Sequence, residues 1–259
     1  MHRFTACDTA LIHKNDFYTF EAVFANMEGE VWHACYEVAQ DGKITAFEAL
    51  QQIAGVEADL VGDLAIVRRR EHVSVFCAAD GKVWQWAGSS TLRATLANRP
   101  KALEFEARVI SIHLSYSAEG EPFGVGILLA DKFAFCKLSD QPISMGQLMF
   151  VDHNSAIGCV LWQFHSCFLF SSYLQVASLI TGEVVHTKHF DNDLSMHGID
   201  FSDQTLLVYA KKAPILVAKV ENESRGVWRL FEGKGMLREA LAHCDDSRGA
   251  QHLATLLAQ

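Results

Sequence analysis

Val73-Ser74-Val75-Phe76-Cys77-Ala78-Ala79-Asp80-Gly81-Lys82-Val83-Trp84-Gln85-Trp86 is the stretch on which the fold turns. Two strand-length apolar runs, rich in β-branched and aromatic residues, flank an Asp-Gly pair whose tolerance of left-handed backbone suits a tight hairpin turn. The apolar residues do not recur at the 3.6-residue period of a helix. The stretch predicts two antiparallel strands, with the run Asp63–Arg69 before them as a third.

The same rhythm extends outward in both directions. Upstream, Tyr18–Ala25 and Glu30–Val38 flank Asn26-Met27-Glu28-Gly29, a four-residue turn ended by glycine. Downstream come Ala107–Leu114, Phe123–Ala130 and, after a turn at Asp131, Lys132–Leu138. Ile157–Trp162, Cys167–Ser171 and Tyr173–Leu179 follow, and Thr181-Gly182 turns into Glu183–His189. Thr205–Ala210 and Ala213–Val220, parted by Lys211-Lys212, close the series. Strands about every ten residues point to an all-β sandwich, barrel or propeller. A repeat unit of about 45 residues holding three or four strands selects the propeller. The expectation is an all-β propeller, partial, with WD-repeat-like blades: about four or five blade-sized units within residues 1–220. Thr45–Ala54 breaks the rhythm and reads as a helical loop insertion.

Near Glu221 the period changes. Val227, Leu230 and Phe231 have helical spacing, and Gly233 and Gly235 bracket Lys234 as a stop and restart. Met236, Ala240, Leu241 and Cys244 make a second apolar stripe. Asp245-Asp246-Ser247 supplies a break with N-cap residues, and His252-Leu253 with Leu256-Leu257 makes a third stripe. Short helices on short links predict the beginning of an α-solenoid over residues 221–259. A solenoid buries its face only by stacking several repeats, so the reading expects the chain to continue beyond Gln259.

The junction resembles the vacuolar protein sorting-associated protein 18 (deep orange) family. The resemblance is carried by Glu223-Ser224-Arg225-Gly226-Val227-Trp228-Arg229-Leu230-Phe231 and, after Gly235, by Ala240-Leu241-Ala242-His243-Cys244. These are similar to that family's Glu-x-Arg-Asp-Val-Trp-x-x-Tyr segment and the helix ending Ala-x-x-Tyr-Cys, with Gly226 in place of the Asp and Phe231 in place of the Tyr. Val160-Leu161-Trp162-Gln163-Phe164-His165, Leu179 to Val185 and Asp80 to Trp86 resemble the family's blade strands. The resemblance implies a subunit of the HOPS and CORVET membrane-tethering complexes. Such a subunit supports vesicle docking and fusion and vacuolar protein sorting through protein-protein interactions, with the other class C vacuolar sorting proteins as partners. It implies cytoplasmic localisation, peripheral on the late endosome, lysosome or vacuole membrane. Two other readings share the architecture or the fold: a propeller–solenoid coat or intraflagellar-transport type subunit, and a small propeller hydrolase or lyase.

Composition sets the outer bounds. Half of the 259 residues are apolar and a fifth charged, enough for a sizeable core. A net charge of −9 gains nothing from counterion release on DNA, so no nucleic-acid partner is expected. The only basic run, Arg68-Arg69-Arg70, reads as a solvated strand end. The N-terminus shows no signal-peptide pattern, and no apolar run is long enough to predict a transmembrane segment. Seven scattered cysteines (Cys7, Cys35, Cys77, Cys136, Cys159, Cys167 and Cys244), none in C-x-x-C spacing, read as reduced, mostly buried thiols without a zinc site.

The search for chemistry leaves no assignment. His186 and His189 are three apart on a predicted strand, where they point to opposite faces rather than to one metal. Asp152, His153 and Asn154, like Asp191, Asn192, Asp193 and His197, read as loop residues lacking the rest of a calcium-loop series. Gly124-Val125-Gly126 lacks the third glycine and following helix of a nucleotide loop, and reads as strand. Glu104 and Glu106 show nothing that would separate an acid from a base. The expectation is a non-enzymatic chain with no catalytic, cofactor or metal residues. Trp228 and Phe231 are read as helix-face residues that dock the first helix onto the propeller's last blade.

Overall fold

The structure is a computed structural model describing residues 4–14, 17–56, 61–79, 81–89, 91–117, 119–153, 155–191, 194–200, 205–210, 216–219 and 223–258. For residues 4, 10–14, 17, 47–50, 89, 194–200, 205–210 and 216–219 the backbone alone is described. The chain divides into two compact units. The first is Met1–Leu114 with Glu119–Leu148, and the second is Ser115–Ala118 with Met149–Gln259.

In the first unit, β1 (Phe4–Lys14), β2 (Phe17–Asn26), β3 (Glu30–Ala39) and β4 (Ile44–Gly55) form an antiparallel sheet in chain order. Asn26 shapes the β2–β3 turn. Its side-chain oxygen accepts from the backbone N–H of Glu28 at 3.0 Å and of Glu30 at 2.9 Å, and Gly29 takes φ 75° to close the reversal. β4 corrects the helical reading of Thr45–Ala54, because this stretch pairs with β3 from Ile44 to Gly55. Register shifts at Val31/Trp32, His33/Cys35 and Glu37/Val38 break the strict alternation a regular strand would show.

The second sheet orders β5 (Val61–Arg69), β6 (His72–Ala79), β7 (Lys82–Ser89) and β8 (Lys101–Glu104). A short helix, α1 (Leu92–Leu96), capped by the Thr91 side chain, precedes β8. Its close approach to β7 requires Gly88, where a Cβ would lie 2.8 Å from Thr95 Oγ1 and 3.3 Å from Thr95 Cα. β9 (Val109–Tyr116), β10 (Pro122–Leu129) and β11 (Lys132–Lys137) belong to the third sheet. Gly126 lies opposite Phe135 in the β10–β11 ladder, as the strand reading of Gly124-Val125-Gly126 requires.

β5 shows why these runs are continuously apolar. Leu64 and Ile66 face one cluster with Val23, Val31, Val75 and Trp86. Ala65 and Val67 face the opposite one with Phe76, Ile112, Ile127 and Leu129. A strand covered on both faces loses the apolar–polar alternation of a half-exposed one. Burying each large side chain contributes about 1.5–3 kcal/mol.

The second unit begins with β12 (Met149–Asp152). β13 (Gly158–Leu161), β14 (His165–Leu169), β15 (Tyr173–Ser178) and β16 (Val184–His189) form the fourth sheet in chain order. Ser178 sets the β15–β16 turn, its hydroxyl accepting from Ile180 and Thr181 N–H at 3.2 Å each, and Gly182 takes φ 78°. β17 (Leu194–Asp200), β18 (Thr205–Ala210) and β19 (Leu216–Lys219) form a fifth sheet.

Helices α2 (Val227–Gly233), α3 (Leu237–Ala242) and α4 (Ser247–Leu257) follow the sequence punctuation closely. Gly235, at φ 73°, separates α2 from α3. Asp246 caps α4, its side chain accepting from Arg248 N at 2.9 Å. Among the described residues no helix is long and apolar enough to cross a membrane.

Candidate interaction site at the sheet–helix junction

The second unit joins its helices to its fourth sheet through one carboxylate and one aromatic cluster. The β13–β14 hairpin turns through Trp162–Phe164, with Trp162 N–H donating to His165 O at 2.9 Å. That turn points three consecutive backbone N–H groups at Glu223, just before α2. Phe164 donates to Oε1 at 2.5 Å, His165 to Oε1 at 3.0 Å and Gln163 to Oε2 at 3.2 Å. His165 Nδ1 lies 3.4 Å from Oε1. Successive amides converging on one anion form a nest, and each bond to a charged acceptor contributes about 1.5–3 kcal/mol.

Beside this carboxylate, buried Phe164 meets Phe231 of α2 edge-on, with ring centroids 6.1 Å apart. His243, at the end of α3, stacks on Phe231 at 5.4 Å and meets Phe164 at 5.0 Å. Trp228 packs against α4. A Cβ at Gly249 would lie 3.0 Å from two atoms of its six-membered ring and 2.8 Å from Cys244 Sγ. Arg229 covers the indole at 5.2 Å, and His252 Nε2 of α4 lies 2.8 Å from Glu232 Oε1 of α2.

Among the described residues, Phe231 packs on the β13–β14 turn of the fourth sheet and Trp228 packs against α4. The side chains of the fifth sheet, on which the docking reading placed both, lie outside the described residues. Gly226 stands at the N-cap of α2 with φ 71°. That left-handed conformation is natural to glycine, and explains why the chain enters the helix without a side-chain cap. The part played by Glu223 had no local signal, because its amide donors lie 58 to 60 residues away.

The first unit uses carboxylates in a related way. Asp8 of β1 accepts from its neighbour Thr9 N–H at 2.8 Å and from Ile66 N–H in β5 at 2.6 Å. Asp63 of β5 accepts from Leu64 N–H at 2.8 Å and from Ile112 N–H in β9 at 2.7 Å. The first strand of the first sheet is thereby tied to that of the second, and the first strand of the second to that of the third. Desolvation pushes both carboxyls up from 3.8, against the lowering effect of these amides, and the Asp8 charge raises Asp63 further. Nearby, buried Glu21 pairs with Arg68 and lies 3.4 Å from His33 Nε2. Arg69 Nη1 donates to Leu138 O at 2.8 Å. The Arg68-Arg69-Arg70 run is therefore not a solvated strand end: two of its three guanidinium groups hold neighbouring segments in place.

The residues tested for chemistry are spread apart. On β16, His186 lies opposite Val176 and His189 opposite Tyr173. His153 is buried, its ring 5.4 Å from that of Phe168, while Asp152 is exposed. Glu104 pairs with Lys82 at 3.0 Å, and Glu106 is exposed. Asp191 is exposed; Asp80, Asn154, Asn192, Asp193, Lys211 and Lys212 lie outside the described residues, as does the side chain of His197. Among the described residues no group of three or more His, Cys, Asp or Glu side chains is placed to hold a metal ion. The seven cysteines form no disulfide. Burial pushes the Cys77 and Cys167 thiols up to about 12 and Cys159 well above its ordinary value.

No protein-family model matches the sequence, and no curated protein matches it. Solved structures do. The chain is similar to the β-propeller domain of Cps50 (Swd1) from Myceliophteria thermophila, at 12% identity and a TM-score of 0.51, over 86% of this chain and 71% of that one. It is similar to Saccharomyces cerevisiae Sqt1 at 12% identity and a TM-score of 0.54, over 85% of this chain. It spans 59% of the Sqt1 chain. Identity this low speaks to fold alone. The chain has the β-propeller fold, in antiparallel blade-type sheets followed by short helices, as its strand rhythm predicts.

Proposed function

We propose that this chain is a non-enzymatic interaction scaffold, and specifically a subunit of an endosomal or lysosomal (vacuolar) membrane-tethering complex. Its work is geometric: sheets and helices present separate surfaces to other subunits, and the interfaces themselves supply the affinity. The observation that carries this reading is the junction. The segment Glu223–Cys244, which bears the family resemblance, is also the segment whose Glu223, Phe231 and His243 seat the helices on the fourth sheet. A motif that fixes helices to a blade is what a scaffold needs if its helical part is to hold partners at a set orientation. The chain would act in the cytoplasm, on the surface of late endosomes, lysosomes or vacuoles, through the class C vacuolar sorting proteins rather than by entering the bilayer.

The test is a pull-down of purified sister subunits by the full chain and by a chain ending at Val220. The full chain retains them and the truncated chain loses them. Equal retention by the truncated chain would remove the helices from the binding role and with them this assignment.

A further inference from the structure

The Gln163–His165 turn is built as an anion site. Three successive N–H groups and the His165 ring surround one carboxylate, at 2.5 to 3.4 Å. The backbone supplies the donors, so the site does not depend on which side chain carries the anion. Glu223 reaches it from 58 to 60 residues along the chain, in a segment that has its own left-handed residue at Gly226 and no side-chain cap on α2. The occupant is thus held by the site more than by its own helix. The neighbouring contacts, Phe164 with Phe231 and His243, are apolar and aromatic and do not compete for the N–H groups.

We propose that the Gln163–His165 turn is a general oxyanion-binding site whose resident ligand is Glu223, so that an acidic or phosphorylated side chain of a protein partner can take Glu223's place and free the helices. This rests on the reading of the helices as the partner-holding part of the molecule. A tethered carboxylate acts at an effective concentration of about a millimolar or more, so a free competitor must exceed that to displace it. A partner docked on the same unit would hold its own acid at a comparable effective concentration.

The experiment uses the full chain with Glu223→Ala, followed by backbone amide NMR during titration with acetate and, separately, inorganic phosphate. The expected result is saturable movement of the Gln163, Phe164 and His165 amides in the variant at anion concentrations below about a millimolar, where the parent chain shows no such movement. Phosphate binding more tightly than acetate would point to a phosphorylated side chain as the competitor, and the reverse order to an acidic one. If the three amides do not move, or move equally in both proteins, the turn is not an anion site. The parent chain gives an independent reading should the variant fail to fold. In about 100 mM phosphate, hydrogen exchange in α2 should speed up several-fold relative to chloride at matched ionic strength, while exchange in the fourth sheet stays constant. Unchanged exchange in α2 would overturn displacement. Neither arm uses a sister subunit, so failure here leaves the pull-down result standing, and the converse holds.

Discussion

Both units bind separate pieces of chain with carboxylates, and they do it differently. In the first, Asp8 and Asp63 each grip one amide beside them and one in the next sheet's opening strand, so strand is tied to strand. In the second, Glu223 gathers three adjacent amides of one hairpin turn, so a helical segment is tied to a sheet. The aspartates are recessed within the sheets, and desolvation raises their carboxyls. The difference teaches where each device can be altered. A strand-to-strand tie is part of the core, whereas a helix-to-turn tie is a fastening between finished parts.

Four outcomes would break or sharpen that contrast. Phe231→Ala should have the largest effect, about 3–4 kcal/mol, by emptying the space between Phe164 and His243. Hydrogen exchange would show the loss in the helices of the second unit; a loss spread over the first unit's sheets would contradict the separation. Gly249→Leu should cost about 2–3 kcal/mol in chemical denaturation, because any Cβ there already presses on Trp228 and Cys244. An unchanged midpoint would mean that α4 packs elsewhere. Asp63→Ala should cost about 2 kcal/mol, leaving the amides of Leu64 and Ile112 without their acceptor, with exchange rising in the first unit alone.

The smallest effect is a pH signature. A carboxyl raised in the folded chain above 3.8 favours folding fully at pH values below 3.8. Its contribution is lost as pH rises from there through the raised folded value. Replacing Asp63 by Asn removes that loss. The variant's thermal midpoint relative to the parent should therefore be higher at about pH 7 than at about pH 4. A difference independent of pH would show that the carboxylate is not desolvated.

Much of this was legible in the sequence, for physical reasons that vary with position. The Asn26–Gly29 and Thr181-Gly182 turns announce themselves because their conformations demand particular residues. Gly235 and Asp246 mark the helix ends for the same reason. β4 was misread because three register shifts against β3 obscure its period. β1, β8, β12, β17 and the five-residue α1 have no expected counterpart in the strand rhythm; β8 and β12 are only four residues long. The junction's location could be read from its change of period, but its bonding could not. Side chains such as Glu223 and Arg68 find partners 47 to 60 residues away, and no local pattern encodes that distance.

The buried thiols have a practical consequence. Cys77 and Cys136 lie inside the first unit and Cys159 and Cys167 inside the second, all four shielded from water and held protonated by burial. An alkylating reagent reacts with thiolate, so each pair stays silent until its own unit opens. The molecule therefore carries two internal clocks. Mass spectrometry of a timed alkylation reads the opening rate of each unit from the unaltered chain.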